Sequence, residues 1–183
     1  MIVKILKIIL NIMCLLFLIN TFFTDAVAVA EDLVKTNLNR LKAINACVRC
    51  YMGEVNLQGP ILHRTNLKQV ELIGANLRWA YFSGVNLGRA NLSSANLRDA
   101  WLSETNLHGA NLKKAYLSEG DLSHTKLSGA ELTRTNLSGA NLQSVYLRQT
   151  DFTDADLSNV ILSYALMHDA QPESSQFNRG QLR

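Results

Sequence analysis

From Met52 to Met167 a bulky apolar residue recurs at every fifth position, giving 24 consecutive pentapeptides centred on 20 Leu together with Phe82, Phe152, Met52 and Met167. Two residues before each centre the side chain is small or β-branched: 11 Ala, five Val, five Thr and single Cys50, Pro60 and Gly120. An α-helix advances about 100° per residue, so a five-residue repeat steps about 140° and scatters the leucines around its axis. A flat strand alternates with a period of two, so an odd repeat throws successive leucines onto opposite faces. Both are excluded. The arrangement that fits is alternation broken by a corner: Ala75 in, Asn76 out, Leu77 in, Arg78 and Trp79 out, Ala80 in again. If each corner turns the chain by about a right angle, four pentapeptides close a square coil, and the next coil stacks at roughly the 4.8 Å spacing of paired strands. About six such coils make a rod roughly 29 Å long. Its interior is columns of Leu with Ala beside them, because close packing leaves little room near the corners.

The corner positions explain most of the glycines. Gly59, Gly74, Gly84, Gly109, Gly129 and Gly139 all fall there, where they relieve backbone strain, and none belongs to a phosphate-binding loop. Runs such as Ala90-Asn91-Leu92-Ser93-Ser94, Ala95-Asn96-Leu97-Arg98-Asp99 and Ala140-Asn141-Leu142-Gln143-Ser144 resemble the pentapeptide-repeat family, whose consensus is Ala-(Asp/Asn)-(Leu/Phe)-X-X. The resemblance covers residues 50–169 in one unbroken register. It implies an all-β solenoid, a right-handed quadrilateral β-helix; the handedness and the four units per coil come from the family. Some family members resemble acidic DNA duplexes and bind DNA gyrase. That activity is not carried over, because this chain is not acidic.

Four segments are expected: a signal peptide over 1–30, a capping helix and junction over 31–49, the β-helix over 50–169 and a tail over 170–183. Lys4 and Lys7 give the first segment a positive start, Ile8 to Phe23 is apolar apart from Asn11, Asn20 and Thr21, and Ala28-Val29-Ala30 offers small residues for cleavage. The competing reading is an uncleaved membrane anchor over Ile5 to Phe23, the only route by which a membrane enters the expectations. Cys14 serves there as an apolar filler. Between leader and repeats, Leu33, Val34, Leu38, Leu41 and Ile44 recur near helical spacing, which predicts a short amphipathic helix over Asp32 to Asn45 covering the open first coil. At the far end Ile161, Tyr164 and Leu166 replace polar outward residues before Pro172, Phe177 and Leu182, so this coil is expected to be capped by the tail or to form a homodimer contact.

Cys47 and Cys50 form a C-x-x-C at the junction of helix and first coil, both on inward positions. Metal binding needs two further ligands, and Tyr51 stands where c-type haem attachment needs a His. A redox C-x-x-C normally opens a helix, whereas this one follows a helix; a structural disulfide is the expected state, with redox activity and free thiols as alternatives. His63, His108, His124 and His168 are expected as solvated surface residues. No catalytic constellation, cofactor or metal site is expected. Net charge is +3, and +2 once Lys4, Lys7 and Asp25 leave with the signal, too weak for a nucleic-acid footprint.

Since four pentapeptides return the chain to the same column, Tyr81 and Trp101 are stacked neighbours, with Trp79 at the preceding corner and Arg78 and Arg98 adjoining. Aromatic and guanidinium groups of this kind are favoured at interface centres, although cross-strand aromatic pairs also stabilise sheets without a partner. Asn76 with Asn96 and Asn86 with Asn106 are expected as outward ladders, and Lys114 with Arg134 as a solvated column. The expected function is an exported, non-enzymatic interaction or scaffold module with an unknown protein partner, in a periplasm or, in a photosynthetic source, a thylakoid lumen. The alternatives are a thiol-disulfide protein using Cys47 and Cys50, and an envelope protein held by its N-terminal segment.

Overall fold

The computed structural model describes residues 31–42, 44–59 and 62–170. The leader with its cleavage site, the anchor alternative, Cys14, Pro60 and the tail with Pro172, Phe177 and Leu182 lie outside the described residues. Contacts divide the chain between Thr36 and Asn37.

Residues 31–42 are helical, with Asn45 beyond the helix end at φ 49°, the left-handed cap conformation that Asn tolerates. The expected apolar stripe needs correction. Leu41 is buried, but Leu33 and Ile44 are 45% and 59% exposed, and Val34 and Leu38 are half-buried. The buried line instead runs through Asn37 and Leu41, one helical turn apart. Asn37 tolerates burial because its Nδ2 donates to the Tyr51 carbonyl at 2.8 Å, replacing the water it loses.

Beyond the helix the chain winds as a solenoid whose pairing is parallel and offset by four pentapeptides at every bridge, from Ala46 with Asn66 to Tyr146 with Leu166. Each bridge is a single residue wide and is closed by two backbone hydrogen bonds. At Asn56 and Asn76, for example, the Leu57 N–H donates to the Asn76 carbonyl at 2.8 Å and the Asn76 N–H to the Val55 carbonyl at 2.9 Å. Three residues per pentapeptide make the wall and the next two make the corner, so no long strand forms.

The corners share one conformation. In Leu72 to Ala75 the Ala75 N–H donates to the Leu72 carbonyl at 3.1 Å, and Gly74, third in the turn, has φ 64° while Ile73 does not take positive φ. This is a type II turn, whose third residue must be left-handed. Every corner position from Arg49 to Asp169, 25 in all, takes positive φ; six are Gly and 19 are not. A non-glycine residue there costs about 1–2 kcal/mol. The coil sustains that cost because the same residues complete the ladder, as where the Arg89 N–H donates to the His108 carbonyl at 2.8 Å.

Inside, the central residues from Leu67 to Leu162 are all buried, whereas Leu57, Leu62 and Met167 in the end coils are half-buried. An end coil has a neighbouring coil on one side only, which leaves these three half-covered, whereas Met52 in the first coil is 0% exposed. The inward Thr residues also satisfy backbone. Thr105, Thr125, Thr135 and Thr150 donate their hydroxyls to the carbonyls of Phe82, Leu102, Leu112 and Leu127 at 2.8–3.0 Å. A buried hydroxyl without such a partner would be strongly destabilising.

Candidate functional site: an aromatic column on the outer wall

Parallel bridges place Tyr81 directly below Trp101, and their ring centroids are 6.1 Å apart at 38°, within the range of a tilted aromatic pair. His63 extends the column, 6.3 Å from Tyr81, and its Nδ1–H donates to the Ser83 carbonyl at 2.9 Å. At the preceding corner the Arg78 guanidinium lies 4.2 Å over the Trp79 ring. Its Nε and an Nη both donate to one Asp99 carboxylate oxygen at 3.1 Å. Those two bonds fix the guanidinium plane and hold it against the indole. Trp79 and Trp101 remain 48% and 55% exposed.

Arg98 does not join this cluster. Its guanidinium lies 5.0 Å over Tyr116, on the wall that Asn96 and Tyr116 share, so the five residues expected as one patch divide into a column around Arg78, Trp79, Tyr81 and Trp101 and a separate Arg98–Tyr116 contact. Tyr116, 44% exposed, escapes the sequence reading because the Asn ladder of its column stops one coil short of it. The Asn106 amide donates to Asn86 as expected, but the Asn76 amide donates to Asn56 at 3.2 Å. Arg134 meets Asp154, one coil beyond, at 3.4 Å, which neutralises the Lys114 and Arg134 column at that point.

Cys47 and Cys50 lie with their sulfurs 2.02 Å apart and their Cα atoms 5.4 Å apart, 0% and 4% exposed. The Cys47 sulfur also rests 3.4 Å from the Asn37 carbonyl, a contact and not a hydrogen bond, since a bridged sulfur carries no proton. All four histidines are exposed, and among the described residues no group of His, Cys, Asp and Glu is placed to hold a metal ion. No helix among the described residues is long and apolar enough to cross a membrane.

Two ionisable groups depart from their ordinary behaviour. Hydrogen bonds from the Thr153 hydroxyl and backbone hold Asp151 below the usual carboxylate range, with Thr133 and Lys113 adding to the effect. Glu131, hydrogen-bonded at 2.8 Å, raises Lys113. Both stabilise the charged forms on an exposed wall, which is a structural role. A shallow depression of about 410 Å³ elsewhere on the surface is lined by Asn106, His108, Lys126, Ser128 and Tyr146, residues the sequence reading does not bring together.

The model of pentapeptide repeats in eight copies matches residues 50–89, 90–129 and 130–169. Among solved structures, a pentapeptide-repeat protein of the Arabidopsis thaliana thylakoid lumen is 26% identical, covering 59% of this chain and 72% of its own, with a TM-score of 0.44. A pentapeptide-repeat protein of Nostoc PCC 7120 is 34% identical, covering 62% of this chain and 84% of its own, with a TM-score of 0.29. HetL of the same cyanobacterium, involved in heterocyst differentiation regulation, is 26% identical over 75% of this chain and 74% of its own, with a TM-score of 0.38. No curated protein sequence matches the chain. The repeat match spans more than half of the residues, in the register set by the leucine columns and the coil-to-coil bridges. The chain belongs to the pentapeptide-repeat family.

Proposed function

We propose that this protein is an exported, non-enzymatic scaffold module that binds a protein partner through the aromatic column. It is a right-handed quadrilateral β-helix of about six coils with a short N-terminal capping helix, of which Asn37 and Leu41 are buried. The observation that carries the reading is the pair of half-exposed indoles, Trp79 at one corner and Trp101 stacked on Tyr81 in the column that follows it. Leaving large apolar rings in water is unfavourable, and such rings anchor interface centres. Rigidity supports the same role. The ladder fixes each outward side chain in its column, so a partner is bound at little cost in ordering.

Export rests on the positive, apolar and small-residue stretches of the segment before Glu31 and implies a periplasm or thylakoid lumen. In that oxidising setting Cys47 and Cys50 serve as a structural bridge. Burial of both sulfurs supports this over redox work, since an exchange partner needs access to one of them.

The test is in-situ crosslinking with mass spectrometry on wild type and Trp101→Ser. Trp101 points outward, so the variant keeps its far-UV circular dichroism while its main crosslinked protein is lost. An unchanged crosslink profile would remove the aromatic column as the binding surface.

A further inference from the structure

The cations of the solenoid are not spread evenly over its walls. One wall is the bridged column Ala46, Asn66, Asn86, Asn106, Lys126 and Tyr146, with the corner residues that follow each of them. From residue 45 to residue 149 it carries Arg49, Lys68, Arg89, Lys126 and Arg148 and no carboxylate. All five are exposed. Each belongs to a different coil; the coil between Arg89 and Lys126 contributes His108. The four ion pairs among the described residues involve none of them. Arg49 donates to the neutral Gln69 amide at 3.0 Å. On the opposite corner of this wall Glu104 is offset by Arg64, and the first carboxylate on the wall itself is Asp169, one coil further on. The next wall, by contrast, mixes Lys113, Lys114 and Arg134 with Glu54, Glu71, Glu131, Asp151 and Asp154.

We infer that this basic wall is a docking surface for an anionic lipid bilayer. Five coil steps at the strand spacing put its cations along roughly 24 Å in one flat face. A plane of headgroups meets a flat wall everywhere at once, and each exposed basic residue near such a surface raises partitioning roughly fivefold. The shallow depression on the same wall presents the Lys126 ammonium, the Asn106 amide and the Ser128 and Tyr146 hydroxyls, all able to donate to a headgroup phosphate. A nucleic-acid strand fits less well. Strands are gripped by successive aromatic platforms on which bases stack, and this wall offers one such ring, Tyr146. The surface is separate from the aromatic column and does not depend on the protein-binding role proposed for it.

The test is co-sedimentation of the full chain with phosphatidylcholine vesicles, with and without one-third phosphatidylglycerol, read as the ratio of the two partition coefficients. The apolar N-terminal segment is common to every variant and to both vesicles, so the ratio isolates the charge contribution. The triple variant Lys68→Gln, Arg89→Gln, Arg148→Gln is expected to lower the ratio on the order of a hundredfold. Lys113→Gln, Lys114→Gln, Arg134→Gln removes the same number of cations from the adjoining wall and is expected to lower it severalfold at most. The single reversal Lys126→Glu, expected to lower it about twentyfold, serves if the triple variant fails to fold. A wild-type ratio near one, with or without binding to an oligonucleotide, would overturn the inference. Equal losses in the two triple variants would do the same.

Discussion

Substituting alanine at three corner glycines, Gly74, Gly84 and Gly109, isolates the energy of the corner conformation. Their φ values are 64°, 69° and 64°. An added Cβ meets nothing closer than Glu54 Cγ at 3.5 Å, Arg64 Cγ at 3.7 Å and Arg89 Cγ at 3.4 Å, which are ordinary contacts. The cost is therefore backbone alone. Each alanine in the left-handed region loses about 1–2 kcal/mol, and about 0.4–1 kcal/mol of that is offset because alanine also restricts the unfolded chain. The three sites share no partners, so their effects add to about 2 kcal/mol. For a chain of this length that lowers Tm by roughly 4–8 °C. Thermal and urea unfolding measure it, with the corresponding asparagine triple as a control, because Asn enters this conformation at less cost. A triple-alanine variant as stable as wild type would mean that the corners are not left-handed turns, and the coil would have to close in another way.

Two further outcomes follow from the core and the charged wall. Leu107→Asp places a carboxylate without a counter-ion at a position that is 0% exposed and is expected to abolish folding, whereas Leu107→Ala costs about 2–5 kcal/mol; circular dichroism and urea midpoints separate them. Asp151, held below its unfolded pKa mainly by Thr153, contributes stability that is present above that unfolded value and is lost as pH falls through the folded one. Asp151→Asn therefore flattens the acid limb of the stability profile below about pH 4, and an unchanged acid limb would refute the assignment.

The solenoid was legible because one residue in five is committed to the interior, and that commitment fixes the register; the column neighbours followed only once the family resemblance supplied four units per coil. Tyr81 under Trp101 followed from counting four pentapeptides. What could not be counted was direction at the corners, where a long side chain chooses between two walls: Arg78 folds back over Trp79 to meet Asp99, and Arg98 turns to Tyr116. The helix misled for another reason. Its buried line contains Asn37, and a hydropathy pattern has no means of registering an amide that burial leaves bonded to the Tyr51 carbonyl. The basic wall was hidden by summing charge over the whole chain. A net value of +3 averages a wall with five cations against one in which carboxylates outnumber them.

Paired cysteines test the stacking most directly. Ser103→Cys with Ser123→Cys puts thiols four pentapeptides apart in one outward column, where adjacent coils bring Cα atoms to roughly 4.8 Å, inside the range a disulfide spans. Ser103→Cys with Ser118→Cys places them three pentapeptides apart, on different walls. Under mild oxidation, peptide mapping should find the first bridge formed and the second absent. A bridge in the second pair, or none in the first, would contradict a tube that returns to the same column after every fourth pentapeptide.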